Sequence, residues 1–203
     1  MKIYCARRGE IDGKTAAYTL LRLAFSREYP IDFPVIEKTP NGKPFFPERP
    51  DIHFSISHSK THVLCALSDR PVGADIESQR EIGDRAIAFF ATPGELSMFE
   101  PLDLWVLKES YVKLLGGTLP MVRRIKFGKQ GDDPCLLGLG IGPCPPGQGI
   151  ASYQPAQGAA PSTLFRLYKI DGCPAAVATP GAERPGMIEL VELTDPAAQD
   201  TLT

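Results

Sequence analysis

The segment Trp105-Val106-Leu107-Lys108-Glu109-Ser110-Tyr111-Val112-Lys113, set between Pro101 and the pair Gly116-Gly117, constrains the fold most. Pro101 interrupts whatever precedes it and Gly116-Gly117 ends the run, so the spacing predicts one helix between them. At roughly 100° per residue, Leu104, Leu107, Tyr111, Leu114 and Leu115 form one apolar arc, with Glu109, Ser110 and Lys113 on the opposite, polar side. Such an arc has to be buried against a second layer. Glu109 and Lys113, four residues apart, share a face; read alone they are a solvated helix pair worth about 0.2–0.5 kcal/mol. Lys108 does not fit this division. It falls on the arc between Leu115 and Val112, so it must either snorkel outward or meet an anionic partner.

The chain has 203 residues, enough for one medium domain or two small packed lobes, and its 43% hydrophobic content suffices for a core. A net charge of −2 disfavours nucleic acid as a partner. The N-terminus lacks the long apolar run of a signal peptide, and no stretch approaches the roughly 18 apolar residues of a membrane span. A cytoplasmic protein with no membrane association is expected. Cys5, Cys65, Cys135, Cys144 and Cys173 are widely spaced, with no C-x-x-C pair or nearby His cluster, and read as reduced structural thiols.

Along the chain, a helix is expected from about Lys14 to Tyr29, with Leu20, Leu21, Ala24 and Phe25 on its apolar face and Pro30 as its stop. Ile52-His53-Phe54-Ser55-Ile56-Ser57 alternates strictly and predicts a half-buried strand; a hairpin turn at Ser59-Lys60-Thr61 leads into Val63–Leu67. In Val72-Gly73-Ala74-Asp75-Ile76-Glu77, Ala74 and Ile76 face one side while Asp75 and Glu77 face the other. A helical region through Arg85 to Phe90 follows. Thr92, Pro93 and Glu95 then have the spacing of an N-cap, first helical residue and capping box. Glycine and proline crowd residues 138–161, where an irregular loop is expected. Strand-like runs at Leu164–Ile170, Ala175–Thr179 and Ile188–Leu193 complete an α+β pattern with largely antiparallel sheet.

Three constellations could carry chemistry. Asp75, Glu77 and Glu109 offer hard oxygen ligands without His or Cys, which suits Mg²⁺; the bland alternative is the solvated face of an edge strand. Gly73 and Ala74 weigh against that alternative, because small residues beside acidic ones allow close approach of another backbone or a ligand. Ser57, His58 and Ser59 at a strand end, with Lys43 and Arg22, suit a phosphomonoester, although Ser-His-Ser is also a common capped turn. Lys108 and Lys113 beside Glu109 could hold a pyrophosphate while a hydroxyl is activated for attack.

The order of these motifs resembles the 4′-phosphopantetheinyl transferases of the surfactin-synthetase-activating type. The matching residues are Gly42-Lys43-Pro44, Phe54-Ser55-Ile56-Ser57-His58-Ser59, Val72-Gly73-Ala74-Asp75-Ile76-Glu77, Phe89-Phe90 with Glu95, and Trp105 through Lys113, spread from about Thr15 to Leu119. The resemblance implies a pseudo-dimer of two similar α+β lobes, residues 1–72 and 73–203, with coenzyme A and Mg²⁺ between them. It implies transfer of phosphopantetheine from coenzyme A to a serine of an apo acyl or peptidyl carrier protein, releasing 3′,5′-ADP, and a monomer is expected. Under it, Asp75, Glu77 and Glu109 are the Mg²⁺ ligands, Glu109 being also a candidate base for the carrier serine. Lys113, assisted by Lys108, contacts the phosphates, and Ser57, His58, Lys43 and Arg22 serve the nucleotide. Gln79 and Thr118 depart from the family pattern, and Arg7 and Arg8 could stand in for basic residues of a longer N-terminal lobe. A Mg²⁺-dependent phosphoesterase and a non-catalytic coenzyme A or carrier-binding module are the alternatives.

Overall fold

The computed structural model describes residues 1–139, 163–181 and 184–193. Cys144 and all but the first two residues of the 138–161 loop lie outside them. Strand β1 (Lys2–Arg7) leads to helix α1 (Gly13–Glu28), then to the two-residue strands β2 (Glu37–Lys38) and β3 (Pro44–Phe45). Next come β4 (His53–His58), β5 (His62–Ser68) and β6 (Gly73–Ile76), followed by helices α2 (Asp84–Phe90), α3 (Pro93–Leu96) and α4 (Pro101–Leu115). After a 3-10 turn at Leu119–Arg123 the chain forms β7 (Ile125–Gln130), β8 (Asp133–Leu139), β9 (Thr163–Ile170), β10 (Cys173–Pro180) and β11 (Ile188–Leu190).

Two sheets dominate, in the strand orders β11-β1-β5-β4 and β6-β10-β9. Pairing is antiparallel within both except where β11 returns to lie parallel to β1. Period-two alternation builds four layers. Tyr4, Ala6, Val63, Cys65 and Leu67 pack on α1, whereas Ile3, Cys5, Leu64 and Ala66, on the opposite face of the same strands, pack on Ala74, Ile76, Ala175 and Val177 of the second sheet. That second sheet turns its other face, with Ala176 and Ala178, to α4. The mixed α+β architecture expected from the pattern is therefore present. Among the described residues no helix is long and apolar enough to cross a membrane.

The local signals behave as their chemistry requires. Asp12 caps α1 by accepting from the N–H groups of Lys14 and Thr15. Thr92 and Glu95 form the reciprocal capping box, with Glu95 N–H donating to Thr92 Oγ1 at 3.3 Å and Thr92 N–H donating to Glu95 Oε2 at 2.9 Å. Gly116 ends α4 at φ 65°, in the left-handed region.

Two expectations need correction. Strand β4 is not half-buried: Phe54 is 2% exposed, and Ser55 and Ser57 on its other face are only 5% and 6% exposed. Those serines meet β6, the edge strand of the second sheet; Ser55 Oγ accepts from Ala74 N–H at 2.9 Å and Ser57 Oγ from Ile76 N–H at 3.4 Å. The supposedly polar side of α4 is likewise covered, and Ser110 is fully buried. Gly73 is the reason, since a Cβ there would overlap the carbonyl oxygen of Ser110 and the backbone nitrogen of Leu114.

Candidate active site

That close crossing of β6 over α4 sets two acidic groups and a cation together. Asp75 points to the α4 side of β6, and Lys113, in the last turn of α4, donates to Asp75 Oδ1 at 2.6 Å and to Ser57 Oγ at 2.9 Å. Ser57 Oγ in turn donates to Asp75 Oδ1 at 2.7 Å. Three elements distant in sequence thus share one hydrogen-bonded cluster. The isolated Glu109–Lys113 pair is replaced by a pairing across elements, because Asp75 is buried and Lys113 is the cation that reaches it.

What is left over is informative. Asp75 Oδ2 and Glu109 Oε1 are both buried and have no hydrogen-bond partner. Glu109 is pushed up to about 7, first by burial and then by the neighbouring charges of Asp75 and Glu77, with Lys113 pulling the other way. Glu77 is also raised, by burial and then Asp75, while its oxygens are engaged by Trp105 Nε1 at 3.2 Å and Arg80 at 3.7 Å. Among the described residues no group of three or more His, Cys, Asp or Glu side chains converges tightly enough to hold a metal by itself. The structure thus joins Asp75, Ser57 and Lys113 directly, with Glu109 beside them and Glu77 at the margin.

Glu109 and Lys113 also line a cavity of about 260 Å³, together with Lys43, Asn41, Ser55 and Gly117. Lys43 Nζ donates to Leu114 O at 2.9 Å and Asn41 Nδ2 to Gly116 O at 3.0 Å, so the Asn41-Gly42-Lys43 loop caps the carbonyl end of α4. Burial lowers Lys43 to about 8. Sequence reasoning singled out Lys43 but passed over Asn41 and Ser55, whose signals were their places inside the same two motifs. His58 is exposed at the end of β4, with its ring against Gly13 at the N-terminus of α1, where a Cβ would overlap the imidazole.

Two predicted ligand contacts lie elsewhere. Arg22 stacks its guanidinium 4.3 Å from the centre of the Phe33 ring and does not line the cavity. Lys108 is fully buried; its Nζ lies 2.8 Å from Glu95 Oε1 and donates to Phe90 O. The anionic partner its misfit demanded is therefore a protein carboxylate. Burial would push Glu95 up, but hydrogen bonds from Lys108, the Phe127 N–H and Thr92 outweigh it and hold the carboxyl below its ordinary range.

The chain is similar to several curated proteins of one kind. It is 35% identical to the 4′-phosphopantetheinyl transferase Sfp of Bacillus subtilis over 114 residues, covering 50% of this chain and 51% of that protein. It is 42% identical to the 4′-phosphopantetheinyl transferase gsp of Aneurinibacillus migulanus over 94 residues, covering 40% and 38%, and 38% identical to psf-1 of Bacillus pumilus over 98 residues, covering 43% and 42%. No family model matches the chain. The resemblance read from the motif order is thus borne out, while the chain spans about half or less of the length of these relatives.

Proposed function

We propose that this protein is a 4′-phosphopantetheinyl transferase, moving the phosphopantetheine arm of coenzyme A onto a serine hydroxyl of an apo acyl or peptidyl carrier protein. The observation that carries this reading is the pair of buried, unpartnered oxygens, Asp75 Oδ2 and Glu109 Oε1, beside Lys113, with Glu109 and Lys113 lining the 260 Å³ cavity. Two buried carboxylate oxygens without donors are unfavourable unless a cation or a proton joins them. Their hardness fits Mg²⁺, with Asp75 and Glu109 as holders and Glu77 adding negative charge at the margin. When bound, Mg²⁺ neutralises pyrophosphate oxygens and so lowers the cost of charge accumulating there.

The chain's own residues supply the rest. Lys113, already poised 2.6 Å from Asp75, can turn toward the leaving 3′,5′-ADP phosphate and offset its charge. Glu109 takes the proton from the carrier serine at a carboxylate oxygen, as a general base. Lys43, which lines the cavity, and Ser57 and His58 at the end of β4 serve the nucleotide end. Arg22 serves it only from farther out, and Lys108 acts by holding α4 in place. On this reading the two sheets, each backed by one long helix, are the lobes of a pseudo-dimer that works as a monomer, with β11 returning from the second half of the chain to complete the first sheet.

Mass spectrometry of apo acyl and peptidyl carrier proteins incubated with this chain, coenzyme A and Mg²⁺ tests the proposal. A phosphopantetheine mass gain on the carrier serine is expected. No gain on any carrier contradicts it, and release of free phosphopantetheine without a carrier would point to the phosphoesterase instead.

A further inference from the structure

Away from the carboxylates, the two sheets bring together a second set of reactive groups. His62, at the start of β5, is 4% exposed; its Nε2 lies 3.2 Å from Asp171 Oδ2 in the β9–β10 turn, and its Nδ1 lies 3.6 Å from Cys173 Sγ at the start of β10. Asp171 is an acceptor only, so the imidazole proton belongs on Nε2 and the Nδ1 lone pair faces the thiol. Thr61 Oγ1, 2.9 Å from Nδ1 and 3.6 Å from Cys173 Sγ, can donate to that lone pair or relay to the sulfur. Arg7 of β1 clamps Asp171 through Nε at 3.0 Å and through Nη2, which holds its carboxyl below the usual range. Cys173 lines a cavity of about 300 Å³ whose walls include Arg7, Thr61, Ser78 and Gln79.

We propose that Cys173, His62 and Asp171 form a thiol-exchange site, at which Cys173 accepts a mixed disulfide from a low-molecular-weight disulfide. His62 Nδ1 takes the Cys173 proton and the thiolate attacks one sulfur of the disulfide. A new S–S bond to Cys173 forms as the old S–S bond breaks, and the departing thiolate recovers the proton from the imidazolium. The disulfide is the oxidant, one half of it leaving as a free thiol. Attack on sulfur builds no oxyanion and so needs no oxyanion hole, whereas acyl transfer would require one. The polar walls and the Arg7 guanidinium suit a small anionic adduct. The other buried cysteines offer a contrast within the chain: burial pushes Cys5 up to about 12 and raises Cys65.

The test is incubation of the whole chain with oxidised glutathione, followed by peptide mapping of the adduct over time. Cys173 is expected to acquire the glutathionyl group about tenfold or more faster than Cys5 or Cys65, and at pH 6 to outpace the more exposed Cys135. His62→Gln is expected to slow Cys173 by about tenfold or more. Equal rates at the buried cysteines, a lead for Cys135 at pH 6, or an unchanged rate in the variant would overturn the assignment. Should the variant not fold, the wild-type pH profile decides. The groups facing the pair are Arg7 and Cys5 from β1, Thr61 beside His62, Asp171 from the turn, and Glu192 across the neighbouring cavity that His62 lines. Assisted attack keeps the Cys173 rate nearly level between about pH 8 and 6.5, while a fall of about tenfold per pH unit would mean an unassisted thiol and refute the site.

Discussion

Lys108 and Glu109 are neighbours on one helix, yet they end in opposite circumstances. Lys108 is enclosed with Glu95 in a network where the carboxylate also accepts from Thr92 and Phe127 and the ammonium also donates to Phe90 O. Glu109 faces β6 with one buried oxygen unmet, next to an Asp75 oxygen in the same state. A fully satisfied buried pair specifies structure; an unsatisfied one is competent to bind. The comparison teaches that charge on α4 does two jobs, and that hydrogen-bond completeness, not residue type, tells them apart.

The largest effect should come from breaking the closed side. Lys108→Ala leaves the buried Glu95 with only the more distant Lys126, 3.9 Å away, as its cation, and is expected to cost about 3–5 kcal/mol in chemical denaturation. A loss under about 1 kcal/mol would mean that the pair is not the structural lock described. On the open side, Glu109→Gln should lower holo-carrier formation by about 10²–10⁴-fold without lowering stability. Because the folded chain holds the Glu109 proton up to about 7, against 4.5 ordinarily, wild-type stability without divalent cation should fall as pH rises through that window. The variant should lack that fall, so melting curves in chelator at pH 7.5 should place it at or above wild type.

Smaller changes sharpen the contrast. Gly73→Ala pushes β6 off the α4 backbone and should cost about 1–3 kcal/mol while also reducing transfer, as Asp75 and Glu109 separate. Smallest of all is Lys43→Met. With its folded value near 8 against 10.5 ordinarily, Lys43 weakens the fold fully below about pH 8 and progressively less as pH rises toward 10.5. The variant should therefore melt no lower than wild type at pH 7 while binding coenzyme A more weakly in a calorimetric titration.

Much of this was legible where the determinants are local. The α4 boundaries, the Thr92–Glu95 capping box, the faces of β6 and the approach at Gly73 follow from period, caps and side-chain size, and the anomaly of Lys108 was visible as an arc violation. Its partner was not, because Glu95 already had a complete explanation as the capping-box acid and its second role depends on how α3 folds against α4. The burial of Ser55 and Ser57 was not legible because strict alternation reports one buried face and only the meeting of two sheet edges buries the second, and that of Ser110 because it depends on β6 crossing α4 at Gly73. The His62–Cys173 approach joins residues more than a hundred positions apart, and no local pattern encodes it.

The central claim is that Asp75 and Glu109 leave a cation-competent gap while Glu95 and Lys108 leave none. Titration of Mn²⁺ into the wild-type chain, followed by electron paramagnetic resonance of the free ion, measures this without reference to turnover. One tight site is expected in wild type and its loss in both Asp75→Asn and Glu109→Gln, with Glu95→Gln, if folded, retaining it. Undiminished Mn²⁺ binding in the Asp75 and Glu109 variants, or no site in the wild-type chain, would contradict the account.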